Sequence, residues 1–236
     1  NVLKALQKLA ELHREQFNIP VIGITGSNGK TIVKEWLHQL LSPDRMIVRS
    51  PRSYNSQIGV PLSIWQMNEA SELAIFEAGI SEPGEMKALQ NMIHPTIGIL
   101  TNIGGAHQEN FSSLQEKCME KLTLFKDCDV VIYNGDNEFL SNCVMQSMLS
   151  AREIAWSRKD AERPLYINKV LKKDDCTVIS YRYLDMENAF TLPFIDDASI
   201  ENALNCLGAC VYLMLSPADI TARMAKLEPV AMRLEV

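Results

Sequence analysis

Long basic runs and long apolar runs are both missing from this chain of 236 residues. The formal net charge is -6 and Lys and Arg are not clustered, which argues against a nucleic-acid partner, because phosphate backbones need a basic surface. No apolar stretch reaches the roughly 20 residues of a transmembrane helix, so we expect no membrane insertion. The N-terminal segment NVLKALQKLAELHREQF is charged throughout and lacks the pattern of a signal peptide.

Metal-binding or disulfide spacing is also missing, since the six cysteines form no C-x-x-C pair. A disulfide framework or a structural zinc site is therefore not expected. Cys206 and Cys210 lie one helical turn apart in an apolar run, which predicts that both pack in the core. Reduced, buried thiols are typical of the cytosol, and we expect a cytoplasmic protein.

Short β-branched runs alternate with segments of helical periodicity over most of the chain, beginning with an amphipathic helix over residues 2–17. Strands separated by helices indicate βαβ units, a mostly parallel sheet and an α/β fold. The predicted strands are residues 20–25, 46–49, 73–77, 96–101 and 130–133. The helices predicted between and after them are residues 30–41, 61–67, 83–92 and 113–125.

The pattern changes between about residues 151 and 195. Strand-like runs at Leu165–Val170 and Thr177–Tyr183 follow each other without helices, which predicts a small antiparallel extension of the sheet. Two final helices are predicted at Ile200–Leu215 and Ala218–Leu227.

The strongest functional signal is TGSNGKT at residues 25–31, between a predicted strand and a predicted helix. Glycines let the backbone N–H groups point at phosphate oxygens, and the helix start adds a positive dipole. Lys30 would reach the β- and γ-phosphates of a nucleotide, and the Thr31 hydroxyl would bind Mg²⁺. The common spacing G-x-x-x-x-G-K-[ST] is not met, because its first position holds Ile24. The predicted phosphate-binding residues are Gly26, Ser27, Asn28, Gly29, Lys30 and Thr31.

Three more residues are candidates, each with a competing interpretation. Glu77 ends the predicted strand LAIFE, where it would either bind the metal ion at the carboxyl edge of the sheet or cap the loop at Ala78–Gly79. His107 follows TIGILTNIGGA and is either a ligand, also suited to Mn²⁺, or a hydrogen-bonded loop residue. Lys121 has charged neighbours on its predicted helix, and physics alone predicts a solvated lysine.

Several motifs together resemble the Mur ligase family, in the order and at the spacing of that family. They are TGSNGKT, YNSQIGVP (54–61), EAGISEPGEM (77–86), TNIGGAHQENF (101–111), LPF (192–194), ENAL (201–204) and the final MRLEV. The resemblance covers essentially the whole chain and implies a P-loop NTPase-like, ATP-binding central domain over residues 1–236. The family's UDP-sugar-binding domain and its closing C-terminal domain would then be absent from this chain and act as partner domains.

The same resemblance implies roles for individual residues. Lys121 matches a lysine that many members carbamylate, which makes it one of three implied catalytic residues with Lys30 and His107. Asn202 matches an adenine-contacting residue, and Arg233 matches an arginine near the γ-phosphate. The implied metal ligands are Thr31, Glu77, His107 and carbamylated Lys121.

The sequence departs from the family pattern at a few positions. Asp196 and Ala198 stand where members usually have Gly and His before the adenine-contacting Asn. Thr123 stands where an acidic residue often follows the carbamylated lysine. These departures concern the adenine side and the surroundings of Lys121, and they leave the phosphate loop intact.

The resemblance implies an ATP-dependent amide ligase of peptidoglycan precursor synthesis that acts through an acyl phosphate. The segment GISEPGEM favours members that join UDP-N-acetylmuramoyl-tripeptide to D-Ala-D-Ala, with other Mur ligases and folylpolyglutamate synthetases as alternatives. A nucleotide switch such as a GTPase is a second reading, but its D-x-x-G and N-K-x-D motifs are both missing. A binding module without catalysis is the third, since we expect no turnover by residues 1–236 alone.

Overall fold

A computed structural model describes residues 1–105 and 110–230. The α-helices of these residues are α1 (Val2–Arg14), α2 (Lys30–Leu41), α3 (Gly59–Ile64), α4 (Glu85–Ile93), α5 (Leu114–Leu122), α6 (Glu138–Ser147), α7 (Asp197–Tyr212) and α8 (Pro217–Met224). The strands are β1 (Val21–Thr25), β2 (Ile47–Arg49), β3 (Leu73–Glu77), β4 (Ile97–Leu100), β5 (Val130–Asn134), β6 (Arg152–Ser157), β7 (Leu165–Lys172), β8 (Thr177–Tyr183) and β9 (Met186–Leu192).

The strands form one sheet in the order β2-β3-β1-β4-β5-β6-β7-β8-β9. Neighbouring strands from β2 to β7 run parallel. The last three strands form an antiparallel meander. The predicted α/β fold with a small antiparallel extension is therefore confirmed.

Two hydrophobic cores cover the two faces of the sheet. Successive side chains of a strand point to opposite faces, so Ile22 and Ile24 of β1 pack against α2, α7 and α8, whereas Val21 packs with α1 and α3 to α6. Cys206 and Cys210 are buried in the first core, as predicted, and burial raises the pKa of both thiols. Among the described helices, none combines the length and apolar character that crossing a membrane requires.

The predicted boundaries differ from the observed ones mainly after residue 134. Helix α6 and strands β6 and β9 were not predicted, and the predicted start of the antiparallel region was too early. Strand β6 pairs in parallel with both β5 and β7, so the parallel part of the sheet continues to β7. The connection from β6 to β7 contains no helix. The parallel strands were predicted from the alternation of strands with helices, and a parallel connection without a helix does not show that alternation.

Candidate functional site

The loop between β1 and α2 lies at the carboxyl edge of the sheet, and its two glycines fit it tightly to its neighbours. Gly26 has a φ of 145° and Gly29 a φ of 82°, conformations that L side chains rarely adopt. A Cβ atom at Gly26 would lie 2.0 Å from Thr101 Oγ1, and one at Gly29 would lie 2.3 Å from Asn202 Oδ1. The loop is thus enclosed between the end of β4 and helix α7.

The segment after β4 holds this loop by hydrogen bonds. The amide of Ser27 donates to Asn102 O at 2.8 Å, and the amide of Asn28 donates to Asn102 Oδ1 at 2.9 Å. Thr101 Oγ1 donates to Asn28 O at 2.6 Å, and the amide of Gly104 donates to Ser27 Oγ at 2.8 Å. Since α2 begins just after the loop, its first N–H groups lack partners within the helix and create a positive potential there.

Three lysine ammonium groups meet around the loop. Lys30 Nζ donates to Gly26 O at 3.0 Å, and Lys121 Nζ donates to the same oxygen at 3.2 Å. Lys117 Nζ donates to Gly104 O at 2.6 Å. Lys117 and Lys121 are only 1% and 3% exposed, so the interpretation of Lys121 as a solvated residue is wrong. The charge pattern of α5 could not show that this helix turns its lysines towards the loop.

Burial and mutual repulsion lower the pKa values of Lys30 and Lys121. Burial lowers the pKa of Lys30, Glu77 opposes this effect, and Lys117 adds to it. Burial, with smaller effects from Lys30 and Lys117, lowers the pKa of Lys121 to about 7. Concentrated positive charge with little access to water favours an anionic ligand such as a polyphosphate.

The carboxylate of Glu77 is fully buried at the end of β3, beside the loop. Its Oε2 atom accepts a hydrogen bond from Thr31 Oγ1 at 3.1 Å and one from Asn55 Nδ2 at 3.4 Å. The hydroxyl and the carboxylate predicted to bind one metal ion therefore lie together. Their oxygen atoms are the kind of ligand that Mg²⁺ prefers.

The alternative role of Glu77 as a loop cap is not supported. The amide of Ala78 donates to Ile24 O and the amide of Gly79 donates to Asn55 O, both at 2.8 Å, so neither is capped by Glu77.

The other predicted residues His107 and Arg233 lie outside the described residues. Over the described ranges no group of three or more His, Cys, Asp and Glu side chains is arranged so that it could hold a metal ion.

Two cavities open near the loop. One of about 440 Å³ is lined by the loop residues Gly26, Ser27 and Lys30 and by Asn55 and Lys121, among others. The other, of about 930 Å³, lies between the ends of β5 and β6 and the start of α7, and its lining includes Asn134, Asp136, Trp156 and Glu201. Helix α7 lines the larger cavity with Glu201, and the next residue, Asn202, lies against Gly29 of the loop. Both volumes are in the range of small-molecule sites.

A family model described as the Mur ligase middle domain matches residues 24–210 of this chain. The chain belongs to the Mur ligase middle-domain family.

Two curated relatives carry the name UDP-N-acetylmuramoyl-tripeptide–D-alanyl-D-alanine ligase. The relative from Bacillus subtilis is 29% identical over 242 residues, which cover 100% of this chain and 50% of the relative. The relative from Borreliella burgdorferi is 31% identical over 221 residues, which cover 93% of this chain and 47% of the relative. The chain thus spans about half the length of these curated relatives.

Solved structures of low identity show the same fold. MurF from Acinetobacter baumannii matches with a TM-score of 0.88 and 22% identity, covering 99% of this chain and 51% of that one. MurF ligase from Thermotoga maritima, solved in complex with ADP, matches with a TM-score of 0.85 and 23% identity, covering 98% of this chain and 53% of that one.

One departure of this Mur ligase middle domain from its family pattern has a structural explanation. Asp196 is the N-cap of α7, and its side chain accepts a hydrogen bond from the Ser199 amide at 2.8 Å. Burial raises the pKa of Asp196, but the hydrogen bonds from Ser199 outweigh this effect, so the pKa is lowered overall. The carboxylate that replaces the usual glycine therefore stabilises the helix that carries Asn202.

Lys34 Nζ also lies at this site, 3.0 Å from Glu77 Oε1. Four residues of the site were not predicted from the sequence: Lys34, Asn55, Asn102 and Lys117. Asn55 and Asn102 lie inside motifs that carry the family resemblance, so the motifs could have indicated them. The lysines give no such signal, because a lysine within a helix is usually exposed and only the packing shows that these two are buried.

We expect a pH-dependent difference between the unfolding free energies of the wild-type domain and Lys121→Met. In CO₂-free buffer, the wild-type value should rise relative to that of the variant between about pH 7 and pH 10. The pKa of Lys121 is about 7 in the folded chain, against an ordinary lysine value of 10.5. Within this window the unfolded chain keeps a proton that the folded chain has lost, so stability rises by on the order of 1 kcal/mol per pH unit. Below pH 7 both states are protonated and the difference levels off. Urea unfolding at stepped pH measures it, and a difference that is flat through pH 7–10 would contradict the burial of this amine.

Proposed function

We propose that this chain is the ATP- and magnesium-binding central domain of an amide ligase that adds D-Ala-D-Ala to UDP-N-acetylmuramoyl-tripeptide. The observation that carries the proposal is the meeting of Lys30, the Thr31 hydroxyl and the Glu77 carboxylate at one loop. In this proposal the UDP-sugar-binding and closing domains lie outside residues 1–236. ATP and reduced thiols occur together in the cytosol, where we place the reaction.

The residues at the loop suit the transfer of a phosphoryl group. Lys30 and the loop amides would bind the β- and γ-phosphates and neutralise the charge that develops during transfer. Thr31 and Glu77 fit Mg²⁺ through their oxygens, and His107 would complete the set or admit Mn²⁺. The bound ion would supply further charge neutralisation on the phosphates.

The chemistry of the reaction then belongs mainly to the substrates. The tripeptide carboxylate would attack the γ-phosphate and displace ADP, which gives an acyl phosphate. The dipeptide amine would then attack the acyl carbon, lose a proton and displace inorganic phosphate. The chain contributes positioning and charge, and Arg233 near the γ-phosphate would add to both. We place adenine beside Asn202, where the larger cavity approaches the loop.

The comparisons support this member of the family over its alternatives. Both curated relatives described above are named as dipeptide-adding ligases. The folylpolyglutamate synthetase of L. casei in its apo form matches with a TM-score of 0.73 at 15% identity, which shows a shared fold and no more. No specific observation therefore favours a second candidate function.

Lys121 is suited to carbamylation in this proposal. Only a neutral amine adds CO₂, and a pKa of about 7 leaves a neutral fraction at cytosolic pH. The carbamate would replace one of three clustered cations by an anion and so relieve repulsion. In the unfolding experiment on Lys121, bicarbonate at pH 8 should stabilise the wild-type chain and leave Lys121→Met unchanged. Equal responses of the two chains would argue against the modification.

Calorimetry tests the nucleotide site on residues 1–236. We expect ATP to bind more tightly with Mg²⁺ than with EDTA, and we call the ratio of the two affinities the Mg²⁺ gain. This gain should be at least about tenfold smaller in Glu77→Gln, because a metal ligand is removed. The matched control is Glu187→Gln, an exposed carboxylate on β9, which should keep the gain. Absence of ATP binding would refute the proposal, and a preference for guanine would revive the nucleotide switch.

The ligase activity is tested on the protein in its full natural length. Phosphate release from ATP should require both UDP-N-acetylmuramoyl-tripeptide and D-Ala-D-Ala. Phosphate release that needs only one of these substrates, or that prefers a single amino acid to the dipeptide, would indicate the activity of another member of the family.

A further inference from the structure

Lys34 is a buried lysine of α2 to which the proposed function gives no role. Its side chain is 0% exposed. Its ammonium group donates to Ser50 O at 2.7 Å and to Arg52 O, and it lies 3.0 Å from Glu77 Oε1 and 3.0 Å from Glu35 Oε1. Removing an ammonium group from water is costly unless oxygen atoms replace the lost water, and here four of them do. The charge of Lys34 is therefore fixed in one place.

The two carboxylate oxygens of Glu77 have different surroundings. Oε2 accepts hydrogen bonds from Thr31 and Asn55 and faces the phosphate loop. Oε1 is buried, and within the described residues it accepts no hydrogen bond of normal geometry, so its close neighbour is the charge of Lys34. The two oxygens are thus distinguished, with Oε1 at the Lys34 ammonium group and Oε2 at the loop.

Lys34 also connects Glu77 to the segment that carries Asn55. The carbonyl groups of Ser50 and Arg52 both accept from Lys34, and Ser50 Oγ accepts from the amide of Glu77 at 3.3 Å. Arg52 has a φ of 47°, an uncommon conformation for a residue other than glycine. Asn55 lies three residues further on and lines the cavity of about 440 Å³.

We propose that Lys34 is a positioning residue that orients the Glu77 carboxylate, so that Oε2 is presented to the divalent cation accompanying the nucleotide. This inference rests on the proposed function. Lys34 does not line the cavity, so it acts through Glu77 and not by touching the nucleotide. A nearby positive charge also repels a cation, but without Lys34 the buried carboxylate would lose its counter-ion and its fixed orientation, and we expect the second effect to dominate.

The test compares ATP affinity with Mg²⁺ and with EDTA in Lys34→Met, which keeps the length of the side chain and removes its charge. The gain in affinity that Mg²⁺ gives should fall by about tenfold or more, as when a residue that orients a metal ligand is lost. ATP affinity in EDTA should stay near that of the wild type. Adding Glu77→Gln should cause no further loss of the gain, because the two residues act as one unit.

Arg14→Met is the matched control for losing a buried cation. Arg14 lies on α1, and its guanidinium donates to Ile93 O at 3.0 Å and to His94 O at 3.1 Å. This change should lower the melting temperature without altering the Mg²⁺ gain. If Lys34→Met does not fold, Lys34→Gln, which keeps a donor for the carbonyl groups, should show the same loss of gain.

The outcomes separate this inference from the proposal on which it rests. A wild-type chain without any Mg²⁺ gain would overturn the proposed metal site. A wild-type gain that is kept or increased in the Lys34 variants would overturn only the role of Lys34, because the lysine would then be structural or would merely repel the cation. A gain lost in Lys34→Met and kept in Arg14→Met would support the inference.

Discussion

Replacing Lys30 by alanine is expected to lower turnover of the proposed ligase, measured on the full-length protein, by about a thousandfold, the cost of losing one donor aimed at a transition state. The Lys30 ammonium group lies 3.0 Å from Gly26 O and 3.2 Å from Ser27 O, at the loop proposed to bind the phosphates. The positive charge would stabilise the transition state of phosphoryl transfer more than it stabilises bound ATP. The turnover number should therefore fall more than ATP affinity does.

The measurement is phosphate release under saturating substrates, together with calorimetry of ATP binding to residues 1–236. Lys8→Ala is the matched control, because Lys8 is 59% exposed on α1 and pairs only on the surface with Glu11. Near-normal turnover of Lys30→Ala would show that this lysine does not stabilise the transition state. Loss of turnover in both variants would indicate a general effect of lysine removal.

Replacing Gly26 by alanine is expected to destabilise the domain by about 3 kcal/mol, from backbone strain and overpacking together, and to abolish ATP binding. At a φ of 145°, the new Cβ would lie 2.0 Å from Thr101 Oγ1 and 3.0 Å from the backbone oxygen of Asn102. These two residues also hold Ser27 and Asn28, so relieving the collision would displace the loop.

Gly84→Ala separates strain from collision. Gly84 has a φ of 86°, but a Cβ there would meet no atom within 4 Å, so the expected cost is the strain alone. That strain is worth about 1 kcal/mol, and ATP binding should be unchanged. Urea unfolding and calorimetry measure both variants. Similar losses of stability in the two would show that the fit between Gly26 and Thr101 has no energetic consequence.

Some parts of the site could be predicted because their signals are local. The strand Leu73–Glu77 and the helix Lys30–Leu41 were predicted with their observed boundaries, since an apolar run with a terminal carboxylate and a glycine turn before a helix are patterns within a few residues. The motifs around Asn55 and Asn102 marked two further segments that reach the loop. Strand β6 has no such local signal and was missed.

The sequence by itself determined the α/β character of this chain, the glycine turn before α2 and the membership in its family, because glycine placement and hydrophobic periodicity are properties of neighbouring residues. Only the tertiary structure decided that Thr31 meets Glu77, which lies 46 positions away, and that Lys34, Lys117 and Lys121 are buried. The physical reason is that a parallel sheet brings the ends of distant strands to one edge, and burial depends on what packs there. The altered pKa of Lys121 and the orientation of Glu77 follow from that packing and from nothing local.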